Sequence, residues 1–424
     1  MDPVRIAAAL FESPSRAFAV SLWDGTLLPA PREEGVAGRV VLRHPRVLAA
    51  FLPPSELRLS ESFLDGDLEI EGDAIGVLEA AGRWQGPSGR ARLLPAAIAH
   101  LASRARARAG QGGFARVPGR LHSLFRDRAA VQHHYDVSDE FYRLFLDAGM
   151  VYSCAFFSRE GATLEEAQRA KLELVCRKLS LAPGERLLDV GCGWGALVEH
   201  AAARHGARAT GITLSEHQAE AARARLEALP AEKRPTVLLA DYRALAPEAP
   251  FEKVASVGMM EHVGRERLDD YFAAVHRLLA PGGLFLNHAI ADGGGVHTLP
   301  WARRSGGGFI DRYIFPDSDL VPVPLVVAAA ARAGFEVRDL ESLREHYAST
   351  LHSWLARLEA RFEEAAALVG RRRARAYRLY LASSAAAFRL GRITVFQLLL
   401  AKRPPSGRLE GLPRNRGAWY PAAS

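Results

Sequence analysis

Short apolar runs alternate with segments of helical periodicity from about residue 186 to the end of the chain. The apolar runs predict seven strands, at Arg186–Val190, Ala207–Ile212, Thr236–Leu239, Lys253–Val257, Gly283–His288, Gly334–Leu340 and Ile393–Leu400. Helical patterns occur at Ala196–Arg204, Glu216–Ala228 and Arg267–Leu279, and a long pair covers His346–Val369 and Arg372–Leu390. Strands and helices in alternation predict an α/β fold with a mostly parallel sheet and helices on both faces.

The first of these strands ends in an acid and runs into a glycine-rich turn within Leu187–Gly195. Glycine suits a tight turn that needs positive φ, and it lets the backbone approach a ligand closely. The strict alternation of Gly191, Gly193 and Gly195 differs from the G-x-G-x-x-G spacing that seats a pyrophosphate. The turn therefore predicts a nucleotide-like cofactor without phosphates, and S-adenosylmethionine (SAM) fits. A plain strand-turn-helix corner is the alternative, but it leaves Asp189 unexplained.

Residues before about 100 follow a different pattern, in which short apolar runs are punctuated by Pro and Gly. Phe18–Leu22 and Val40–Leu42 are such runs, and a helical pattern covers Asp73–Ala81. The acidic segment Ser60–Asp73 is typical of a polar turn with one exposed strand. These features predict a smaller N-terminal domain over residues 1–102, which we interpret as an accessory, lipid-binding domain.

An arginine-rich stretch separates this domain from the rest of the chain. A helix predicted at Leu93–Ala109 continues into arginines interrupted by glycines. We therefore predict a basic linker over residues 103–130 and a catalytic domain over residues 131–424. Arginines beside the apolar residues of Leu121–Phe125 would suit an anionic membrane surface, and a solvated tether is the alternative.

Charge and cysteine content narrow the class of partner. The formal net charge of +7 favours an anionic partner, and no segment resembles a nucleic-acid-binding module, so a lipid surface is preferred over nucleic acid. Cys154, Cys176 and Cys192 form no C-x-x-C pair, so neither a disulfide framework nor a metal site is predicted. No apolar stretch has the length of a bilayer span. We expect a cytoplasmic protein that associates peripherally with the inner membrane.

Polar residues that follow the strands are candidates for ligand contacts, because open α/β sheets bind ligands at the carboxyl ends of their strands. After the second strand, where a dinucleotide fold would place an acid, the chain has Thr213 and Leu214. After the third strand, Asp241 is placed to accept a hydrogen bond from an adenine amino group, with Tyr242 beside the ring. The alternative for Asp241 is an ordinary helix N-cap.

The fourth and fifth strands run into ionisable residues. An acid at the end of a buried strand is costly unless it is paired, so Glu261 is a site candidate, and His288 lies at the same predicted edge. On an extended backbone His262 would point elsewhere, and a structural role is predicted for it. Two polar and aromatic clusters, His133–Asp136 and Tyr152–Phe157, predict a lid over the site.

Six segments together resemble the cyclopropane-fatty-acyl-phospholipid synthase family, which includes the mycolic acid cyclopropane synthases. They are HHYDVSDEFYRLFLD from His133, VYSCAFF from Val151, LLDVGCGWG from Leu187, GITLSEHQ from Gly211, SVGMMEHVG from Ser256 and HYASTLHSW from His346. They cover most of the chain after about residue 131, and the N-terminal domain looks like the extra domain of longer members. The resemblance implies a class I SAM-dependent methyltransferase fold, Rossmann-like with a seven-stranded, mostly parallel sheet.

The resemblance also implies a reaction and its residues. The methyl group of SAM is transferred to a cis double bond in an acyl chain of a membrane phospholipid, and a proton is lost to bicarbonate as a cyclopropane ring closes. The bicarbonate ligands carried over are Cys154, Glu261, His288, Ile290 through its backbone, and Tyr347. The cofactor contacts carried over are Tyr152, Ser153, Asp189, Gly191, Gly193, Trp194, Gly195, Thr213, Leu214, Gln218, Asp241, Tyr242 and Arg243.

Three aromatic residues, Phe309, Tyr313 and Phe315, are candidates to line a slot for the acyl chain, although core packing is the simpler interpretation. The chain departs from the family at Asp317 and Ser318, where many relatives carry glycines.

Three alternative functions stay open. The same site would serve a fatty-acyl C-methyltransferase that gives methyl- or methylene-branched chains, and the fold would serve a small-molecule SAM methyltransferase. A lipid-binding protein with an inactive methyltransferase domain is the non-enzymatic alternative. A homodimer is compatible with the sequence.

Overall fold

A computed structural model describes residues 2–31, 37–51, 55–84, 126, 138–294, 308–409 and 411–420. The chain divides into two compact units. The first comprises Met1–Arg116, Gly295–Pro316 and Trp354–Arg392, and the second comprises Val117–Gly294, Asp317–Ser353 and Ile393–Ser424. The predicted helix at Leu93–Ala109, the basic linker apart from Arg126, and the cluster His133–Asp136 lie outside the described residues.

The helices and strands are numbered in chain order over these residues. The helices are α1 (Pro3–Phe11), α2 (Glu56–Leu64), α3 (Ala74–Arg83), α4 (Asp139–Arg143), α5 (Leu164–Lys178), α6 (Ala196–His205), α7 (Glu216–Leu226), α8 (Leu268–Leu278), α9 (Phe309–Tyr313), α10 (Val323–Arg332), α11 (Arg344–Ala360), α12 (Phe362–Val369) and α13 (Arg371–Arg389). The strands are β1 (Ala19–Ser21), β2 (Leu27–Leu28), β3 (Gly38–Leu42), β4 (Leu68–Gly72), β5 (Arg186–Val190), β6 (Arg208–Thr213), β7 (Thr236–Leu239), β8 (Phe251–Val257), β9 (Leu279–Asp292), β10 (Phe335–Ser342) and β11 (Ile393–Lys402).

The second unit contains a seven-stranded sheet in the order β10-β11-β9-β8-β5-β6-β7. The pairs from β9 through β8, β5 and β6 to β7 are parallel, and β11 is antiparallel to both β9 and β10. All seven predicted strands are present, and the predicted α/β class is confirmed. On one face, apolar side chains from β8 and β9 pack with α8 around Tyr271, Phe272 and Phe285, which buries the centre of the sheet.

The first unit contains a smaller sheet in the order β2-β1-β3-β4. The prediction of a polar turn over Ser60–Asp73 is wrong in its first part, because α2 continues to Leu64. The hydroxyl of Ser55 accepts a hydrogen bond from the backbone N–H of Arg58, which is a helix N-cap, and Phe63 is buried. The acidic residues of this segment favoured a turn, although its first part is the end of an amphipathic helix.

The first unit also includes helices from the C-terminal part of the chain. The long helix predicted at His346–Val369 is two helices, with a break at Arg361, and the residues from Trp354 to Arg392 group with the N-terminal segment rather than with the large sheet. Within this unit, Arg375 and Arg378 of α13 pair with Glu69 of β4 at 2.6 and 2.7 Å. The periodicity of α13 predicts a basic helix face. It does not predict that the half-buried Glu69 pairs with this face.

None of the helices in the described ranges is both long enough and apolar enough to cross a membrane.

Candidate active site

The glycine turn between β5 and α6 has the conformation that its sequence predicts. Gly191, Gly193 and Gly195 have φ values of 83°, 53° and 84°, which side chains with a Cβ rarely adopt. The backbone N–H groups of Gly191 and Cys192 both donate to the carbonyl of Ile212 at 2.9 Å. The turn is therefore fixed against the carboxyl end of β6.

A cleft lies over this turn at the carboxyl ends of the central strands. It is lined by all but one of the predicted cofactor residues, namely Tyr152, Ser153, Asp189, Gly191, Gly193, Trp194, Thr213, Leu214, Gln218, Asp241, Tyr242 and Arg243. The exception is Gly195, which does not line the cleft and instead begins α6 in the left-handed conformation. Gly195 therefore contributes to the shape of the turn rather than to the surface of the cleft.

Two polar side chains of the cleft wall are held by neighbours. The Thr213 hydroxyl donates to Oε1 of Gln218 at 2.9 Å. The carboxylate of Asp241 accepts from the backbone N–H of Arg243 at 2.8 Å and pairs with its guanidinium at 2.7 Å. No helix follows Asp241, so the N-cap alternative is wrong and the residue forms a local turn.

His262 also lines the cleft, contrary to the prediction that it points elsewhere. That prediction assumed an extended backbone, in which successive side chains alternate between faces. Met260–His262 is instead a short 3₁₀ helix, which the sequence did not indicate.

Helix α4, which lies in the chain between the two clusters predicted to form a lid, contacts the cleft residues. Oδ1 of Asp139 in α4 accepts from the indole N–H of Trp194 at 2.8 Å. The ring of Tyr142 lies 5.4 Å from that of Trp194 and 5.3 Å from that of Tyr152, measured between centroids. This segment therefore orients two side chains of the cleft.

A supporting layer behind the cleft was not predicted. Nζ of Lys171 in α5 donates to the Ser153 hydroxyl at 3.0 Å, and Nε2 of Gln168 donates to the carbonyls of Val151 and Ser153 at 3.2 and 2.9 Å. Burial lowers the pKa of Lys171 to about 8 and raises the pKa of Asp189 to about 7. The sequence signal that could have identified this layer is a Gln and a Lys three residues apart on a helix face that is otherwise mostly apolar, because buried positions of a helix are normally apolar.

Glu261 and Ile290 are joined directly. The backbone N–H of Ile290 in β9 donates to Oε1 of Glu261 at 2.7 Å. The side chain of Glu261 is buried, and its Oε2 has no hydrogen-bond partner among the described residues. Because the N–H of Ile290 is engaged by Glu261, its immediate role is to orient this carboxylate.

His288 lies two residues before Ile290 and on the same face of β9. Its Nδ1 accepts from Nε2 of Gln397 in β11 at 3.2 Å, and its buried Nε2 has no partner among the described residues. Burial holds the pKa of His288 well below its usual value, so the imidazole is neutral. The bond from Gln397 assigns the proton to Nε2, which therefore presents an N–H donor.

Cys154 and Tyr347 are linked to the same stretch of sheet through Leu343. The Cys154 thiol lies 3.8 Å from the Leu343 carbonyl, to which the backbone N–H of Tyr347 donates at 3.0 Å. The N–H of Leu343 donates to the carbonyl of Val395 at 2.8 Å, and Val395 is paired with Ile290 across β9 and β11. These links join Cys154 and Tyr347, through the backbone of Leu343 and Val395, to the part of β9 that carries His288 and Ile290.

The aromatic residues predicted to line an acyl slot belong to the first unit. There Phe309 stacks on Tyr313 with ring centroids 5.6 Å apart, and Phe315 lies edge-on to Tyr380 at 5.7 Å. Asp317 has a φ of 64°, the left-handed conformation that glycine adopts without strain. Its carboxylate pairs with Arg126 at 2.6 and 2.8 Å, which offers a reason for an acid at this position.

The stability of the protein should depend on the ionisation of Glu261. Burial raises its pKa from 4.5 to about 7, so the folded state binds this proton more tightly than the unfolded state and loses stability as pH rises between these values. Glu261→Gln should therefore be more stable than the unsubstituted protein at about pH 8, by up to about 3 kcal/mol, and the difference should shrink towards about pH 5. Urea denaturation of both proteins at the two pH values measures this difference, and a difference independent of pH would contradict it.

The sheet order, the glycine turn and the cleft define a class I SAM-dependent methyltransferase fold. Coclaurine N-methyltransferase bound to S-adenosylhomocysteine (SAH) has this fold, at a TM-score of 0.58 and 19% identity over 84% of this chain and 99% of that one. The sequence model of mycolic acid cyclopropane synthetase matches residues 122–398. The chain belongs to that family, and it is a SAM-dependent methyltransferase of the cyclopropane synthase type.

Individual relatives agree with this assignment. A probable fatty acid methyltransferase of Pseudomonas putida is 38% identical over 411 residues, 95% of each chain. Cyclopropane mycolic acid synthase MmaA2 of Mycobacterium tuberculosis is 40% identical over 280 residues, 64% of this chain and 96% of its own. The crystal structure of mycolic acid cyclopropane synthase CmaA1 with SAH and CTAB has a TM-score of 0.61 at 39% identity, over 65% of this chain and 98% of that one.

Proposed function

We propose that this protein transfers a one-carbon unit from SAM to the cis double bond of phospholipid acyl chains and forms a cyclopropane ring, with bicarbonate as the base. The observation that carries the proposal is an unsatisfied buried acceptor on Glu261 and an unsatisfied buried donor on His288 in the described part of the chain, with Glu261 tied to the strand of His288 through the N–H of Ile290. Oε2 of Glu261 and Nε2–H of His288 have no partners among the described residues, and unsatisfied buried polar atoms are costly unless a ligand satisfies them. Bicarbonate has one hydroxyl donor and oxygen acceptors, which fits this pair.

When bound, SAM supplies an electrophilic methyl group and bicarbonate a weak base, and the residues of the site hold both. Glu261 would accept from the hydroxyl of the ion, and His288 would donate to one of its oxygens. Because the imidazole is neutral, it adds no net charge that would weaken the base. Cys154 and Tyr347 would complete the enclosure, as the family resemblance implies.

The thiol of Cys154 must not compete with the alkene for the methyl group, because a thiolate is a far better nucleophile. The side chain is fully buried, and burial raises its pKa well above the usual range. The thiol therefore stays protonated at neutral pH. An apolar site that excludes water also protects a cationic intermediate of the acyl chain from capture by water.

The proposed substrate is an unsaturated phospholipid at an anionic membrane surface, reached peripherally from the cytoplasm. Two observations support this choice. The net charge of +7 favours an anionic surface, and the relatives carry names that refer to fatty acids and mycolic acids.

A second candidate function has its own support. The Pseudomonas putida relative, whose match extends over 95% of this chain, is named a probable fatty acid methyltransferase. The alternative product is therefore a methyl- or methylene-branched acyl chain made at the same site.

Incubation of the full chain with SAM and dioleoyl phosphatidylglycerol vesicles tests the proposal. We expect lipids heavier by one CH₂, without the double bond, and with upfield ring protons in the proton NMR spectrum. Vesicles with saturated chains are the control and should give no product. A mass gain without ring protons would favour the branched product. No mass gain on any unsaturated phospholipid would contradict the proposal.

Gln397 should act as a positioning residue for His288. Gln397→Leu removes the donor to Nδ1 and frees the choice of tautomer, so we expect turnover to fall by about 10-fold with an unchanged KM for SAM. Gln397→Glu places an acceptor at Nδ1, which favours a proton there and leaves Nε2 as an acceptor, so its turnover should be lower still. Steady-state kinetics give the turnover of the two variants and urea denaturation gives their stability, and a purely structural role would make the loss of turnover follow the loss of stability.

A further inference from the structure

Two helices beside the cofactor cleft carry a cluster of metal-ligating side chains outside the site described above. Glu173 and Cys176 lie one turn apart on α5, and His200 and His205 lie on α6. Oε2 of Glu173 is 3.0 Å from Nε2 of His200 and 3.0 Å from Nε2 of His205. The ligand atoms of Cys176, His200 and His205 all lie within 4.8 Å of one another.

We propose that Glu173, Cys176, His200 and His205 bind a Zn²⁺ ion that joins α5 to α6. Two imidazoles, a thiolate and a carboxylate are the donor types that zinc prefers, in the number that a closed structural site requires. Neighbouring ligand atoms of a tetrahedral zinc ion are about 3.4 Å apart, given bonds of about 2.0–2.3 Å. The carboxylate of Glu173 is already 3.0 Å from each imidazole, whereas the ligand atoms of Cys176, His200 and His205, which lie within 4.8 Å of one another, would move closer together around the ion.

One oxygen of the Glu173 carboxylate faces the two histidines. Nε of Arg177 donates a hydrogen bond to Oε1 of Glu173 at 2.6 Å. The other carboxylate oxygen, Oε2, therefore faces the two imidazoles.

The presence of Cys176 distinguishes a metal site from an ordinary cluster of ion pairs. A glutamate that accepts from two histidines needs no thiol beside it, yet Cys176 is fully buried at the same place. The spacing of cysteines gave no indication of zinc, because the four ligands come in pairs from two helices rather than from a C-x-x-C segment.

The position of the cluster suggests a structural role. Helix α5 carries Gln168 and Lys171, which support the cleft from behind, and α6 begins at the glycine turn. An ion that joins these helices would stabilise both walls of the cofactor cleft without touching the reacting atoms. The proposal therefore makes no claim about methyl transfer and stands apart from the proposed function.

Titration of the chelator-treated full chain with Co²⁺, followed by displacement with Zn²⁺, tests the site. We expect one tight equivalent of Co²⁺, with the visible absorption of tetrahedral cobalt and a thiolate charge-transfer band, and loss of both on addition of Zn²⁺. Excess Zn²⁺ should raise Tm by about 5 °C.

Variants assign the signal to the cluster. Cys176→Ser should remove the charge-transfer band, and His205→Ala, at a partly exposed position, should weaken Co²⁺ binding at least 10-fold even if the cysteine variant does not fold. His352→Ala is the matched control, because His352 is exposed and lies outside the cluster, and it should bind Co²⁺ like the unsubstituted chain. The proposal is overturned if the unsubstituted chain shows no tetrahedral cobalt spectrum, or if His205→Ala binds Co²⁺ as tightly as His352→Ala.

Discussion

Glu261→Gln should lower turnover by on the order of 10³-fold while leaving the affinity for SAM unchanged. The backbone N–H of Ile290 donates to Oε1 of Glu261, so in the variant it holds the amide oxygen and directs the amide NH₂ into the site. Two donors, this NH₂ and Nε2–H of His288, would then face the bicarbonate position. The hydroxyl of the ion would lose its acceptor, although the cofactor cleft would keep its lining.

Product formation on vesicles of unsaturated phospholipid measures the turnover, and calorimetry measures the affinity for SAM. Glu266→Gln is the matched control, because it makes the same change at an exposed residue on the following turn. A variant that keeps more than about a tenth of the unsubstituted turnover would exclude Glu261 from the base site. Loss of SAM binding along with turnover would instead indicate a damaged fold. A lipid-binding protein with an inactive domain would show no turnover to lose.

Lys171→Met should lower the free energy of unfolding by on the order of 3 kcal/mol at about pH 7.5, between the pKa values of Asp189 and Lys171, and also raise the KM for SAM about 10-fold. The fully buried ammonium group of Lys171 donates to Ser153 and compensates the charges of Asp147 and Asp189. Without it these carboxylates lose their buried cation, and Ser153 in the cleft wall loses its donor. The loss of stability should be smaller at about pH 6, because Asp189, with its raised pKa, is then largely protonated.

Lys178→Met offers a demanding control for this prediction. Lys178 lies on the same helix, is equally buried, and pairs with Glu341 and Asp339 away from the cofactor cleft. This variant should also unfold more easily but should keep the KM for SAM. Urea denaturation and steady-state kinetics on both variants separate the two effects. An equal rise in KM for both would show that Lys171 acts on the cofactor only through general stability.

The large sheet was predictable because its signal is local. Each strand is a short apolar run between helical patterns, and the glycines of the turn after β5 require the positive φ values that they adopt. Asp241 and Tyr242 in the lining of the cleft followed from the rule that ligands bind at the carboxyl ends of parallel strands, and most of the remaining lining residues were carried over from the family resemblance. His262 escaped the same reasoning, since a 3₁₀ turn replaces the extended backbone there.

Residues that act through tertiary contacts were not predictable from periodicity. Gln397 reads as a polar residue within an apolar strand, and only the pairing of β11 with β9 brings it to His288. Lys171 reads as one more charge on a helix, and its burial appears only when α5 packs behind Ser153. The grouping of α13 with the N-terminal segment likewise depends on Glu69, which lies about three hundred residues earlier in the chain.

The most direct test of the central claim is the fate of the transferred hydrogens when SAM carries a CD₃ methyl group. If the site holds a base that removes one hydrogen from the methyl carbon, the lipid product should retain two deuterium atoms in a ring CD₂, and mass spectrometry with deuterium NMR should detect it. A product that keeps all three deuterium atoms would contradict the account, since no proton would then have left the transferred carbon.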